Sequence, residues 1–262
     1  MISLLGVRYD GSSSFEPGAA DGPLAVRAGL KRDSTNTWTE SGIDVFGPGV
    51  LDDAGDIEPG PGEAGRRRVE EAVAAVLDRG AKPLVLGGDH SITYPVMRAM
   101  AARYPGLSVL HFDAHGDLWE EFEGDRFSHA CPFARIMEER LAGKLVQVGI
   151  RTLNRHQWDQ AKRFGVVIHH MRDWNGPFDL TFDGPVYLSL DLDVLDPAFI
   201  AGIAHPEPGG LSVRELVTML QRLRARVVGA DLVELNPNND PSPRSALVAG
   251  KLVKELVAVM SR

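Results

Sequence analysis

The chain has 262 residues and a single cysteine, Cys131, so it is long enough for a substantial core and cannot form an intrachain disulfide. A net charge of −8 argues against nucleic acid or an anionic membrane as the main partner. The N-terminus Met1-Ile2-Ser3-Leu4-Leu5-Gly6 has no basic stretch and too short an apolar run for a signal peptide; with no run long enough to span a bilayer and no cysteine pair, a reducing, cytoplasmic setting is expected.

Short apolar runs alternate with helical periodicity along the whole chain, the pattern of βαβ units around a mostly parallel sheet. In chain order the pattern predicts a strand over Ile2–Val7, a helix over Pro23–Leu30, a strand over Ile43–Phe46 and a helix over Glu63–Arg79. It continues with strand Pro83–Leu86, helix Tyr94–Arg103, strand Leu107–Phe112, helix Cys131–Leu141 and strand Leu145–Ile150. Helix Arg155–Phe164, strand Val166–His169, strand Val186–Asp191, helix Val213–Leu223, strand Val227–Val233 and helix Arg244–Met260 complete the series. The Gly/Pro-rich stretch Gly47–Gly62 reads as a loop, and because the alternation resumes directly after it, one domain over 1–262 is the economical organisation. Runs such as Pro83-Leu84-Val85-Leu86 are apolar on successive residues, as in strands covered by helices on both faces.

Three clusters of imidazole and carboxylate stand at or just past the ends of such strands. They are His90 in Gly87-Gly88-Asp89-His90-Ser91, then Asp113, His115 and Asp117 in His111-Phe112-Asp113-Ala114-His115-Gly116-Asp117, then Asp191 and Asp193 in Ser189-Leu190-Asp191-Leu192-Asp193. In an open parallel sheet, ligands bind beyond the carboxyl ends of the strands, so sequence order alone puts all three on one rim. Carboxylates spaced i, i+2 on a strand share a face and repel each other unless a cation lies between them. Four carboxylates with two imidazoles and no thiolate suit hard or borderline divalent ions, Co²⁺, Ni²⁺ and Zn²⁺ among them. That composition points to a binuclear hydrolytic site. The paired glycines before His90 allow close backbone approach. Asp89 reads as a shaper of that turn, His111 as a support for a ligand, and Cys131 as a small buried apolar residue.

These motifs resemble the three signatures of the ureohydrolases, the family of arginase, agmatinase and formiminoglutamase. The likeness runs from Gly6-Val7-Arg8-Tyr9-Asp10 and Gly22-Pro23 to Asp231-Leu232-Val233-Glu234-Leu235-Asn236-Pro237. It implies a three-layer αβα fold with a mostly parallel sheet of about eight strands. It also implies two Mn²⁺ held by His90, Asp113, His115, Asp117, Asp191 and Asp193, and a homo-oligomer, trimer or hexamer.

The implied reaction follows from the chemistry of the guanidinium group, which is planar, delocalised and protonated at physiological pH. Water at its bulk pKa of ~15.7 does not attack it, whereas two cations roughly 3.5–4 Å apart hold a bridging water as hydroxide near neutral pH. Addition to the guanidinium carbon and collapse would release urea and an amine. In the resembling family, a glutamate in the place of Glu234 pairs with the guanidinium, and a loop histidine in the place of His129 carries a proton to the leaving amine. Asp117 is further expected to bond or relay the proton of the attacking hydroxide.

The loop Leu118–Asp125 carries Glu120, Glu121, Glu123 and Asp125 with Trp119 and Phe122, and would welcome a cationic substrate tail. The same acids would repel a free α-carboxylate such as that of arginine. With the patterns Asp10-Gly11-Ser12-Ser13-Ser14-Phe15 and Asn36-Thr37-Trp38-Thr39-Glu40, which resemble agmatinase-type members more than arginases, that reading favours agmatine, giving putrescine and urea. Arg126 as partner of a substrate carboxylate would favour formiminoglutamate, arginine or another guanidino acid. The segment Ala201-Gly202-Ile203-Ala204-His205-Pro206-Glu207-Pro208 departs from the agmatinase pattern and puts His205 in the rim loop. His156, His169 and His170 fall outside any ligand spacing. A binuclear phosphoesterase would want a Gly-Asn-His ligand motif, which is absent, and a polyamine- or guanidine-binding protein without activity would be expected to have lost ligands, yet all six are present.

Overall fold

The apolar strands read from the sequence alternate between two faces, and each face is covered by its own set of helices. The structure is a computed structural model that describes Met1–Arg262. The strands are β1 (Ile2–Val7), β2 (Leu51–Ile57), β3 (Lys82–Leu86), β4 (Ser108–Phe112), β5 (Lys144–Ile150), β6 (Val167–His170), β7 (Thr181–Asp191) and β8 (Arg224–Val233). They form one sheet in the order β2-β1-β3-β8-β7-β4-β5-β6, with every pairing parallel. The helices are α1 (Gly22–Leu30), α2 (Gly62–Asp78), α3 (Thr93–Arg103), α4 (Pro132–Glu138), α5 (Arg155–Phe164), α6 (Val213–Arg222) and α7 (Arg244–Met260).

Side chains two apart on a strand face one way. Leu84 and Leu86, Leu110 and Leu188 pack with Val26 of α1, Leu216 of α6 and Leu252 of α7. Val85, Val109 and Tyr187 face the opposite layer, with Val73 of α2, Met97 of α3, Phe133 of α4 and Ala161 of α5. The result is the expected three-layer αβα fold of eight strands. Boundaries of the helices lie within two or three residues of those predicted, helped by explicit caps: Ser212 and Glu215 form a reciprocal capping box at the start of α6.

One strand was misplaced. Ile43–Phe46 is not part of the sheet; its neighbourhood makes only an isolated bridge between Trp38 and Asp44. The eighth strand is instead β2, inside the stretch expected to be a loop. Its residues Asp52 to Asp56 are exposed, because β2 is an edge strand paired only to β1. Backbone pairing forms it with little side-chain burial, so no apolar pattern announces it. Its acids are held by Arg27, which bonds Asp53 at 2.9 Å and also pairs with Asp56, and charge on an edge discourages further strand addition.

The strand order has a direct consequence for the rim. Strands β3, β8, β7 and β4 are adjacent, so segments that leave the sheet after residues 86, 233, 191 and 112 emerge side by side. At Gly88 the backbone presses so close to the segment after β1 that a Cβ would stand 1.7 Å from the Tyr9 carbonyl oxygen. Gly88 also accepts the Glu234 N–H at 2.9 Å, tying the turn before His90 to the end of β8.

Candidate metal centre

His90 opens the turn after β3, where Asp89 accepts the Ser91 N–H at 3.0 Å and so shapes the turn as expected. The His90 ring is fully buried. Its Nδ1 lies 3.3 Å from Asp113, 3.1 Å from Asp117 and 3.0 Å from Asp191, each through Oδ2. Asp113, just past β4, and Asp117, in the loop beyond, therefore meet Asp191 from the end of β7. A second group gathers around Asp193, whose Oδ2 lies 2.8 Å from His115 Nδ1, with Asp113 Oδ1 at 3.5 Å from the same nitrogen. Asp113 thus belongs to two overlapping sets of donors, one with His90 and Asp117 and one with His115 and Asp193, the atoms of each set within 4.8 Å of one another.

The meeting of Asp191 and Asp193 has a different cause from simple strand alternation. Asp191 ends β7, but Asp193 lies in a short 3-10 turn over Leu192–Val194, where Asp191 Oδ1 accepts the Asp193 N–H at 2.9 Å. Asp193 also accepts the Ala114 N–H at 3.0 Å, which locks the β4 and β7 loops together.

The partners behind the donors set their orientation. The Ser189 hydroxyl lies 2.9 Å from His90 Nε2 and donates to Asp231 Oδ1 at 2.7 Å. Asp231 also accepts from Thr93 and Tyr187, both at 2.8 Å. Because the one serine proton goes to a carboxylate, Ser189 must accept from His90, and the ring proton sits on Nε2. His90 Nδ1 then presents a bare lone pair, with no hydrogen-bond partner, to three carboxylate oxygens. His111 stands behind Asp113: its Nε2 lies 2.8 Å from Asp113 Oδ2, and its Nδ1 accepts from Gln147 at 3.0 Å.

A buried lone pair facing carboxylates is repulsive on every side unless a cation stands among them. The protonation preferences carry the same strain. Burial, then the charges of Asp193 and Asp113, push the Asp191 carboxyl well above its usual range, and burial followed by the Asp113 charge lifts Asp193 to about 6. Burial opposes a charge on His90, yet its three carboxylates drive its affinity for a proton well up. The donor set of four carboxylates and two imidazoles fits divalent cations.

Glu234 and His129 complete the cluster. Glu234 follows β8 in the left-handed region, φ 66°, as does Asp117 at φ 48°, a conformation that non-glycine residues hold only where the surroundings enforce it. Glu234 Oε1 accepts the His90 N–H at 2.8 Å and lies 2.9 Å from His129 Nδ1. Its Oε2 is buried with no partner. His129 is pulled two ways. Burial disfavours its charged form while Glu234 favours it, with a balance near 9, but the Ser14 N–H points at Nε2 from 3.3 Å and resists a proton there.

These groups border a small cavity whose only apolar lining is Ile203 and Ala204, with His205 beside them. Glu120, Glu121, Glu123 and Asp125 are exposed and do not line it. Arg126 is engaged with Glu138 at 3.0 Å and Glu120 at 3.7 Å, outside the cavity. His156 stacks on Trp119 and accepts the Glu120 N–H, while His169 and His170 stand on edge strand β6. Cys131 is buried, its thiol pushed up by burial to about 12. Ser189, Asp231, Gln147 and Ser14 carried no individual role in the sequence reading. A lone acid in the apolar run Val227–Val233 was the available signal for Asp231.

Fold and donor set together define a metal-binding hydrolase centre on the carboxyl edge of a parallel αβα sheet. Residues 1–258 match the arginase family, and the chain belongs to that family. It is 43% identical to the mitochondrial arginase of Medicago truncatula, over 99% of this chain and 82% of that protein. The solved arginase from Medicago truncatula superposes with a TM-score of 0.92, covering 98% of this chain and 86% of that one. An agmatinase of Bacillus anthracis is 33% identical over 98% of this chain and 90% of its own length. The proclavaminate amidino hydrolase of Streptomyces clavuligerus superposes with a TM-score of 0.85 at 30% identity, covering 99% of this chain and 91% of that one.

Proposed function

We propose that the protein is a manganese-dependent ureohydrolase that converts a guanidinium and water into urea and an alkylammonium, with L-arginine ahead of agmatine as substrate. The observation that carries this reading is Glu234, whose Oε2 is unpartnered and which borders the same cavity as Asp117, Asp191, Asp193 and His115. His90, Asp113, His115, Asp117, Asp191 and Asp193 would hold the cations, and Mn²⁺ is the ion the family likeness favours. Bound there, the cations supply the Lewis acidity that makes water a nucleophile at neutral pH.

The chain's own residues do the rest. A guanidinium offers in-plane N–H donors that match a carboxylate, so Glu234 orients the substrate carbon towards the acids. Asp117, at the cavity edge, accepts a hydrogen bond from the attacking water. His129 Nδ1, 2.9 Å from Glu234 Oε1, holds its proton where the leaving nitrogen would lie, and protonation of that nitrogen lets the C–N bond break. Ile203 and Ala204 help keep bulk water out.

Two observations favour L-arginine. The acids that would attract a cationic tail are not on the cavity wall, and identity to the Medicago arginase exceeds that to the Bacillus agmatinase, 43% against 33%. Urea release from L-arginine, agmatine, formiminoglutamate and other guanidino acids, with and without added Mn²⁺, tests the reading. Turnover of agmatine alone would reverse the substrate order, and no turnover of any of these by metal-loaded protein would overturn the function.

A further inference from the structure

His129 is held at both ring nitrogens, and its outer partners come from two loops remote in sequence. Nδ1 faces Glu234 Oε1 at 2.9 Å. Nε2 lies 3.3 Å from the Ser14 backbone nitrogen and 2.9 Å from the Ser14 hydroxyl. A backbone N–H can only donate, so Nε2 presents its lone pair and the ring proton resides on Nδ1. The Ser14 hydroxyl then also donates to Nε2, and its oxygen is left to accept from His205 Nε2 at 3.3 Å. The series His205, Ser14, His129, Glu234 is satisfied when every proton points the same way, inwards.

Both loops are pinned. Ser12, two residues before Ser14, accepts the His129 N–H at 3.1 Å and donates its own to Asp89 at 2.9 Å. Beyond Ser14, the Glu16 carbonyl accepts from Asn236 at 2.8 Å. Gly18 takes φ 146°, and a Cβ there would stand 2.3 Å from the Asn236 side chain. On the other side, Gly202 accepts the Asn236 N–H at 2.8 Å, and Asn239 bonds the Ile203 carbonyl at 3.0 Å. The rings of His205 and His129 stand 4.9 Å apart, with Phe15 against the outer side of His205 at 5.9 Å. The residues after β8 therefore clamp the two loops that meet over His129.

We propose that Ser14 and His205 are positioning residues that hold and replenish the proton of His129: they keep Nε2 as an acceptor, so that the ring proton is carried on Nδ1 beside Glu234. As that proton passes to the leaving nitrogen, the Ser14 hydroxyl proton moves to His129 Nε2, the His205 Nε2 proton moves to Ser14, and half-buried His205 takes one from solvent at Nδ1, so that no imidazolate forms. This inference rests on the proposed ureohydrolase function, in which His129 protonates the leaving nitrogen. It assigns a role to His205, in the segment where this chain departs from the agmatinase pattern.

The distinguishing property is sensitivity to the leaving group. Departure of an alkylamine needs a proton, whereas a far less basic aniline, from 4-nitrophenylguanidine, needs much less help. With that resupply broken, S14A and H205L should lose roughly 10- to 100-fold in kcat on the alkyl substrate, a part of what general acid catalysis supplies. Their KM should change by less than about threefold, since no substrate binding is removed. The arylguanidine should be nearly unaffected. S14T, which keeps a hydroxyl, should restore most of the rate, whereas H205Q, which keeps an N–H donor but cannot pass a proton on, should stay as slow as H205L. In zinc-loaded, ¹⁵N-histidine-labelled protein, His129 should be the Nδ1–H tautomer and should become mixed in S14A.

Equal losses on both substrates, a change confined to KM, or an unchanged tautomer in S14A would each overturn the proposal; metal content and melting temperature identify a variant that has merely unfolded. If the wild type releases no urea from any guanidino compound, the function itself has failed, and the tautomer still reports on Ser14.

Discussion

Replacing Ser189 by alanine removes one hydroxyl from the centre of the buried series Asp231–Ser189–His90. The volume change is slight, so the effect is polar rather than a matter of packing. Two fully buried groups lose their partner: His90 Nε2–H, bonded at 2.9 Å, and Asp231 Oδ1, bonded at 2.7 Å. Each orphaned buried group costs about 1–3 kcal/mol, so S189A should destabilise the protein by about 2–6 kcal/mol. Asp231 keeps Thr93 and Tyr187, which favours the lower end of that range. At about 3 kcal/mol, a chain of this size should melt roughly 6–12 °C lower. The second consequence is specific to the site. Without Ser189 nothing holds the ring proton on Nε2, and a His90 that carries its proton on Nδ1 cannot offer that nitrogen to a cation. Loss of such a support weakens metal binding by about 10- to 100-fold. Equilibrium dialysis against Mn²⁺ and Co²⁺, beside calorimetric melting of the metal-free protein, separates the two effects. If S189A melts lower yet binds metal within about twofold of wild type, the series is merely structural and the assignment of the His90 lone pair is wrong.

G88A should be among the most damaging single-methyl additions in the chain. Its Cβ would stand 1.7 Å from the Tyr9 carbonyl oxygen, so the segment after β1 or the His90 turn must move, at or beyond the upper end of the ~1–3 kcal/mol usual for overpacking. Chemical denaturation of soluble G88A reads this directly, and wild-type stability would contradict the close approach. E234Q keeps the size of the side chain but replaces the charged acceptor for a guanidinium. A charge-assisted hydrogen bond of about 1.5–3 kcal/mol predicts a loss of roughly 10- to 100-fold in kcat/KM, with metal content unchanged; an undiminished kcat/KM would remove Glu234 from substrate binding. The pH dependence should change sign with metal. Asp193 in the metal-free fold sits at about 6, above its ordinary 3.8, so the folded state binds the extra proton and this contribution to stability grows as pH falls through 6 towards 3.8. Protons compete with a bound cation, so the metal's contribution shrinks over the same window. Melting curves in chelator and in excess Mn²⁺ should therefore slope in opposite directions, and parallel slopes would show that Asp193 does not face the ion.

Some features are written locally and others are not. The alternation that puts Leu84 and Val85 on opposite faces is local, and it was legible. Strand β2 was not, since Leu51-Asp52-Asp53-Ala54-Gly55-Asp56-Ile57 is held by backbone pairing at an edge where side chains need no burial. The acidic loop 118–125 was legible as charge, but its direction was not, and the structure turns those acids to solvent. His205 could be placed on the rim, whereas its bond to Ser14, 191 residues away, has no sequence signature.

The sequence by itself determined the chemistry available: two imidazoles and four carboxylates at strand ends, and a parallel sheet whose carboxyl edge would present them. Such information is carried by residue type and short-range period. Tertiary structure decided which ends are neighbours, by placing β8 and β7 between β3 and β4. It also decided which nitrogen of each histidine is free, because a tautomer is set by partners that only the folded chain brings within hydrogen-bonding distance.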